Sequence, residues 1–246
     1  MHRVSRLPRL HQLLAGPVAD RLRRPAWVVL VELFIGLGWA RAVVEKLIDP
    51  DWWSGAAIAD FVADHEADAV AWYTGIATEV WVPFADVVGV TVLALQVIAA
   101  VTLVTGRRVE LGLGAGMFLN LHFVLAGAVD PSIFYLVAQS AVAMHLLERD
   151  RSAAGRRVLD WLNVGAVILV GASAPMIRTL HPAEVVDDPA VVLATFGGLM
   201  FLATSLVLVR RTARVTTAGR PADTAGLRRP ATPGSGRAEV SELRRG

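Results

Sequence analysis

Residues 27–55 read WVVLVELFIGLGWARAVVEKLIDPDWWSG, and the fold follows from how this stretch divides. From Trp27 to Ile48 it is apolar except for Glu32 and the group Arg41, Glu45 and Lys46. A helix needs about 20 residues to cross the hydrocarbon core of a bilayer, so 27–48 has membrane length. Three charges near one end of such a helix are expensive and call for partners, a polar cavity or reach to the interface. Asp49-Pro50-Asp51-Trp52-Trp53-Ser54-Gly55 follows at once.

Further apolar blocks of this kind occupy 83–105, 109–129, 131–147, 158–180 and 189–209. The fourth is short, and the fifth carries Asp160, Asn163, Pro175 and Arg178. The chain is 54% hydrophobic and its mean hydropathy is +0.52, more apolar than soluble domains are. The expected fold class is therefore all-α, a polytopic transmembrane helix bundle. Residues 27–148 form its four-helix core, 149–209 give two additional C-terminal spans, and 1–26 and 210–246 are basic flanking segments.

Cysteine is absent, which excludes structural disulfides, Cys-ligated zinc, iron–sulfur clusters and covalent c-type haem within this chain. Redox chemistry would have to use a bound cofactor, a quinone or a partner subunit. Met1–Arg24 lacks the apolar core of a secretory signal.

Charge is arranged in space. Residues 47–106 contain no Lys or Arg, whereas basic residues gather at Arg3–Arg24, Arg107-Arg108, Arg149–Arg157 and from Arg210 onward. These are alternate loops of a six-span chain, so the positive-inside rule predicts a multi-pass protein of the cell membrane with both termini cytoplasmic. The same rule accounts for the basic tails without nucleic acid. In the N-terminal segment Val4, Leu7, Leu10, Leu14 and Val18 recur at helical spacing among arginines, the pattern of an amphipathic helix lying on membrane lipid or of a poorly ordered tail. Beyond Thr216 the chain is rich in Pro, Gly, Ala, Thr and Arg and is expected to be disordered.

The segment 49–82 is the one long external loop. It carries Asp49, Asp51, Asp60, Asp64, Glu66, Asp68 and Glu79, together with Trp52, Trp53, Trp72 and Trp81 of the chain's 7 tryptophans. Tryptophan favours the membrane interface, so one or two short helices along the outer surface are expected, either as an anchor or as a lid over a pocket. In the third block Gly112, Gly116 and Asn120 share one helical face, which lets a neighbouring helix approach.

Helical rise converts sequence position into depth. Arg41, Glu45, Lys46, Asp86, Asn120, His122 and Tyr135 then fall in the outer half, with Gln139 a turn deeper than Tyr135. Polar groups at one level usually face the bundle interior and one another. Arg41 and Glu45 are spaced to pair within the helix, and Lys46 points elsewhere, toward the face of Trp39 and Glu32. An outward-facing polar pocket is the functional reading. The plain alternative lets Lys46 snorkel while Arg41 and Glu45 neutralise each other. By depth, Glu32 and Gln96 lie outside this layer, and Glu32 is left to snorkel, pair or stay protonated. His122 and His145 differ in depth by roughly 15 Å at helical rise, too far to share a haem iron. No metal-ligand spacing is present, and Ser140, Ser173 and Ser205 have no His and carboxylate at matching depth.

Glu45-Lys46-Leu47-Ile48-Asp49-Pro50, then Trp52-Trp53 and Gly55, resembles the end of the first span in DoxX-like proteins. It is closest to the DoxD branch, the membrane subunit of thiosulfate:quinone oxidoreductase. Asn120-Leu121-His122-Phe123 with Ala126-Gly127 is similar to a run in that family's third span. The resemblance covers roughly 27–148 as a four-helix core, and Ala42-Val43-Val44 stands where the family pattern has a glycine.

The resemblance implies a quinone-linked oxidoreductase component with quinone as cofactor and a soluble oxidoreductase partner subunit, thiosulfate being one donor of this kind. Arg41 and Lys46 would then hold an anionic donor or polarise a quinone oxygen, and Glu45, Asp86, His122 or Tyr135 would handle protons. Lys46, Trp52, Trp53, Asn120 and Gln139 would contact the cofactor. Two other readings stand beside it: a non-catalytic membrane scaffold that organises soluble partners, and a small transporter.

Overall fold

The stretch from Trp27 to Ile48 lies in a single helix, α1 (Ala26–Ile48), in a computed structural model of the chain that describes residues 21–181 and 184–218, with side chains as far as residue 213. The buried positions of α1 are Val28, Glu32, Ile35, Gly36 and Trp39, one stripe at helical spacing. Leu30, Phe34, Leu37, Val44 and Leu47 are apolar and exposed on the other side. A helix apolar all round fits a lipid surround.

Asp49 leaves helical geometry and its side chain accepts the amide of Asp51, which starts α2 (Pro50–Ser54). Pro50 sits in the first turn, where its missing donor is tolerated. Gly55, at φ 79°, turns the chain into α3 (Ala56–His65); a side chain would resist that backbone. α4 (Ala71–Ile76) continues into a π-helical turn, Ala77–Trp81. The loop 49–82 thus holds three short helices and a π turn, more than the one or two expected, and caps one end of the bundle.

α5 (Ala85–Thr105), α6 (Val109–Leu125) and α7 (Ser132–Arg149) follow with short connections, which force neighbouring helices antiparallel. α1 packs on α5, α5 on α6, α6 on α7, and α7 returns to α1. The ring encloses Val28, Ile35 and Trp39 of α1, Ala99 and Leu103 of α5, Leu113 and Leu119 of α6, and Val142 of α7. A Cβ on Gly112 would lie 2.9 Å from Leu103 Cγ, so this glycine sets the close approach of α6 to α5, as its helical face predicts.

At the uncapped end Glu32 is fully buried. Its carboxylate accepts from Arg24 at 2.6 Å and lies 3.8 Å from Arg21. Arg21 also donates to the carbonyls of Leu103 at 2.5 Å and Val104 at 2.7 Å, satisfying the open C-terminus of α5. Glu32 is therefore paired, and its partners are these arginines, not Lys46.

α8 (Ala153–Ser173) starts earlier than its apolar block because the Ser152 hydroxyl accepts the amide of Gly155. It ends at a 3-10 turn, Ala174–Met176, that contains Pro175. α9 (Pro189–Ala218) follows. Asn163 of α8 donates to Thr204 Oγ1 at 2.8 Å and Ser205 Oγ at 3.0 Å, and Ala166, Phe196 and Met200 pack with Leu136 of α7. Residues Arg210–Gly246 form a separate unit, of which 210–218 are helical. The N-terminal segment before residue 21 and the tail beyond 218 lie outside the described residues.

Among the described residues, four helical segments are long and apolar enough to cross a membrane: Ala26–Ile48, Ala85–Thr105, Ala153–Met176 and Pro189–Ala213. α6 is apolar but shorter. α7 is not among the four; its buried face carries Ser132, Gln139 and Ser140, and it ends in Arg149.

Candidate ligand site at the capped end

Arg41 and Glu45 lie one turn apart on α1 and form an exposed pair, Nε to Oε1 2.7 Å. Lys46 is rotated about 100° from Glu45 by helical geometry and meets a different partner. Its ammonium stands 4.7 Å from the ring centre of Trp52, a cation–π arrangement. The α2 turn decides which of the two adjacent tryptophans is used: Trp52 is 8% exposed and Trp53 is 52% exposed. The Trp53 indole donates instead to the Leu47 carbonyl at 3.4 Å.

These side chains open onto a cavity of about 590 Å³ bounded by the four core helices and the cap. α1 supplies Gly38, Trp39, Arg41, Ala42, Glu45 and Lys46; α5 supplies Val88, Val92 and Gln96; α6 supplies Asn120 and Phe123. Tyr135 of α7 and Asp130 before it close another side, while Ala57, Ile58, Phe61 and His65 of α3 and Trp81 of the π turn lie on the cap side. Of the residues the sequence singled out, Arg41, Glu45, Lys46, Trp52, Asn120 and Tyr135 are brought together here.

Asp86, His122, Trp53 and Gln139 are not in the cavity wall. On α5 the wall positions are Val88, Val92 and Gln96, four apart, and Asp86 is two residues out of that register and exposed. On α6 the wall is Asn120 and Phe123. His122 turns away toward Trp81, Tyr73 and Phe118, and its Nδ1 pairs with the Phe118 carbonyl at 2.8 Å. Gln139 stands behind the wall, fully buried, its Oε1 accepting from Asn120 Nδ2 at 3.1 Å. His145 lies edge-on to Trp27, with ring centres 5.3 Å apart. Ser140 donates to the Leu136 carbonyl.

Gln96 is a correction to the depth reading, because it lines the cavity and is only 1% exposed. The cavity reaches a full turn below the charged cluster, which counting residues along single helices does not reveal. Trp39, Gln96 and Trp52 each keep a buried polar atom without a protein partner: two indole N–H donors and the Gln96 carbonyl oxygen. Such atoms are costly unless something hydrogen-bonds them. Gly116 makes room for this layer, since a Cβ there would lie 2.9 Å from Trp39 Nε1 and against the Gln139 amide.

His65 and Asp130 are further wall residues absent from the sequence-based set. The spacing of Phe61 and His65, which stack with ring centres 4.5 Å apart, was a usable signal once α3 is helical. Tyr73 sits behind Trp81, ring centres 5.4 Å apart, and burial pushes its phenol up from the ordinary tyrosine range. The arrangement suits a flat molecule: aromatic walls from Trp39, Trp52, Phe61 and Trp81, the cations of Arg41 and Lys46, and the side-chain amides of Gln96 and Asn120. No family model, curated protein or solved structure matches the chain.

Proposed function

We propose that the chain is a six-span protein of the cell membrane with both termini cytoplasmic, and that its cavity faces outward and binds a quinone ring. On this reading it is the membrane component of a quinone-linked oxidoreductase of the DoxX/DoxD type, supplied with electrons by a soluble partner subunit or a small anionic donor such as thiosulfate. The observation that carries the reading is the cavity lining, where Lys46 stands over Trp52 among the rings of Trp39, Phe61 and Trp81 and the Gln96 side chain keeps an unpartnered carbonyl oxygen. Amphipathic rings with carbonyl oxygens fit such a lining. The Glu45-Lys46 motif that underlies the resemblance stands at its rim.

A bound quinone would supply two-electron, two-proton acceptor chemistry. The chain's own residues bind and orient. Lys46, which has no ion pair among the described residues, directs its positive charge toward an oxygen in the cavity. Trp39 and Trp52 offer their rings as walls, and Asn120, fixed by Gln139, offers a polar edge. Glu45, Asp130, His65 and Tyr135 line the same space and can pass protons between it and water. Arg41 is neutralised by Glu45 in an exposed pair.

The test is a titration of the full chain in lipid nanodiscs with a short-chain quinone, followed by tryptophan fluorescence. Saturable quenching that weakens in Lys46→Met and Trp52→Phe is expected. Linear quenching that is the same in both variants would refute quinone binding in the cavity.

A further inference from the structure

The geometry points to Arg178 as the latch of a cap: the connection between α8 and α9 holds α3 closed over the cavity, so the C-terminal helix pair controls access to it. This rests on the cavity being the binding site, not on its ligand being a quinone.

α3 is the movable wall. Ala57, Ile58, Phe61 and His65 line the cavity from it, and Gly55 gives its N-terminal end a hinge with positive φ. Its C-terminal end is fastened from outside the core. Arg178 Nη1 donates to the Ala67 carbonyl at 2.6 Å and Nη2 to the Ala69 carbonyl at 2.6 Å. These acceptors lie in the turn that closes α3, where the amides of Asp68 and Ala69 both reach back to His65. The rigid guanidinium fork matches two carbonyls at once in a way an ammonium does not.

Arg178 is itself held from α9. Its amide donates to Asp188 Oδ2 at 2.8 Å, and the other carboxylate oxygen accepts the amide of Ala190 at 2.9 Å in the first turn of α9. Asp188 is buried. A continuous set of hydrogen bonds therefore runs from the start of α9 through Asp188 and Arg178 to the end of α3. The Arg178 contacts are exposed or only half-buried, so they can exchange with water, whereas the buried Asp188 anchor stays. The core meets the same turn at the Val70 amide, which donates to the Leu125 carbonyl at 3.0 Å, and at Gly127, which packs against Asp68 and Ala69. Releasing Arg178 frees α3 to swing about Gly55 without unfolding the four-helix ring.

The absence of cysteine makes the test direct. Val92→Cys places a reporter in the cavity wall, and Glu79→Cys places a control on the exposed surface. Membranes carrying the full chain are treated with a water-soluble maleimide. Adding Arg178→Gln should speed labelling at position 92 by about tenfold, as loss of hydrogen bonds from a charged donor implies, with no change at position 79. Arg178→Lys, which keeps the charge but not the fork, should give an intermediate rate. Unchanged labelling at position 92 in either folded variant, or an equal rise at both positions, would overturn the latch. Faster labelling in a chain that fails the quinone titration would keep the latch and discard the quinone. Quinone binding with unchanged labelling would do the reverse.

Discussion

Arg41 and Lys46 carry the same charge five residues apart on α1, yet the structure gives them different surroundings. Arg41 is bonded to Glu45 in an exposed pair, and such pairs change little when removed. Lys46 stands on Trp52 at the cavity wall. Lys46→Met should weaken short-chain quinone binding by about tenfold, and Arg41→Ala by no more than about threefold, both read from the fluorescence titration. At the other end of α1, Glu32→Ala should cost about 3–5 kcal/mol, because it leaves Arg24 without its carboxylate partner; adding Arg24→Leu should recover part of this in thermal unfolding. Tyr73 gives a pH prediction. The chain has 2 tyrosines, so in Tyr135→Phe the tyrosinate absorbance reports Tyr73 alone. An ordinary phenol titrates near about pH 10, and burial raises that of Tyr73. The folded protein should therefore show little tyrosinate at about pH 10. Since the raised group holds its proton longer folded than unfolded, the associated stability is complete below about pH 10 and falls as pH rises above it. Residue roles were legible where local spacing decides them, as for Arg41 with Glu45. They were not where rotation around a helix decides them: Asp86 and His122 have the right depth and the wrong side, and Gln96 has the right side at a depth that looked too low.

At the level of elements, α1 and α5 were legible because their apolar runs are almost uninterrupted, and their bounds fall within two residues of the blocks. α8 was less so. Its first turns are basic, Gly-Arg-Arg, and belong to the helix only because Ser152 caps it. The cap was hardest. α2 to α4 are short, and their helicity depends on turns such as Gly55 and on packing, of α2 and α3 against α5 and of Tyr73 in α4 against Val124 and Leu125. α6 offers a clean contrast within one helix. Gly116 faces Trp39 and Gln139, whereas a Cβ on Gly114 meets nothing within 4 Å. Gly116→Ala should destabilise by about 1–3 kcal/mol through overpacking and close part of the cavity floor. Gly114→Ala should be neutral or gain up to about 1 kcal/mol from helix propensity. Thermal unfolding in detergent separates the two, and an equal response would mean that the α6–α7 approach is looser than the glycine contacts indicate.

For the whole molecule the open quantity is the number of crossings. Among the described residues four helices qualify by length and apolarity, whereas the proposed topology needs six. α6, at 17 residues, is about 25 Å long at helical rise, a little short of a bilayer core but within what local thinning accommodates. Gly112 packs it against α5, and α7 joins it to α1 to complete the ring. On the proposed topology α6 and α7 complete the ring beside α1 and α5 and cross with them. Polar residues on α7 lower its apolarity because they face the ring, not because they face water: Gln139 and Ser140 are both buried. The expected outcome is specific. Single cysteines at Glu79, Asp130 and Glu184 should react with an impermeant maleimide in intact cells. Cysteines at Thr105 and Arg151 should react only after permeabilisation. Asp130 decides between the counts, since it lies in the connection between α6 and α7. If those two helices stayed on the inner side, Asp130→Cys would be protected while Glu79→Cys was labelled. Because Asp130 also lines the cavity, protection there would put part of the cavity rim in the cytoplasm and remove the outward-facing site together with the six-span topology.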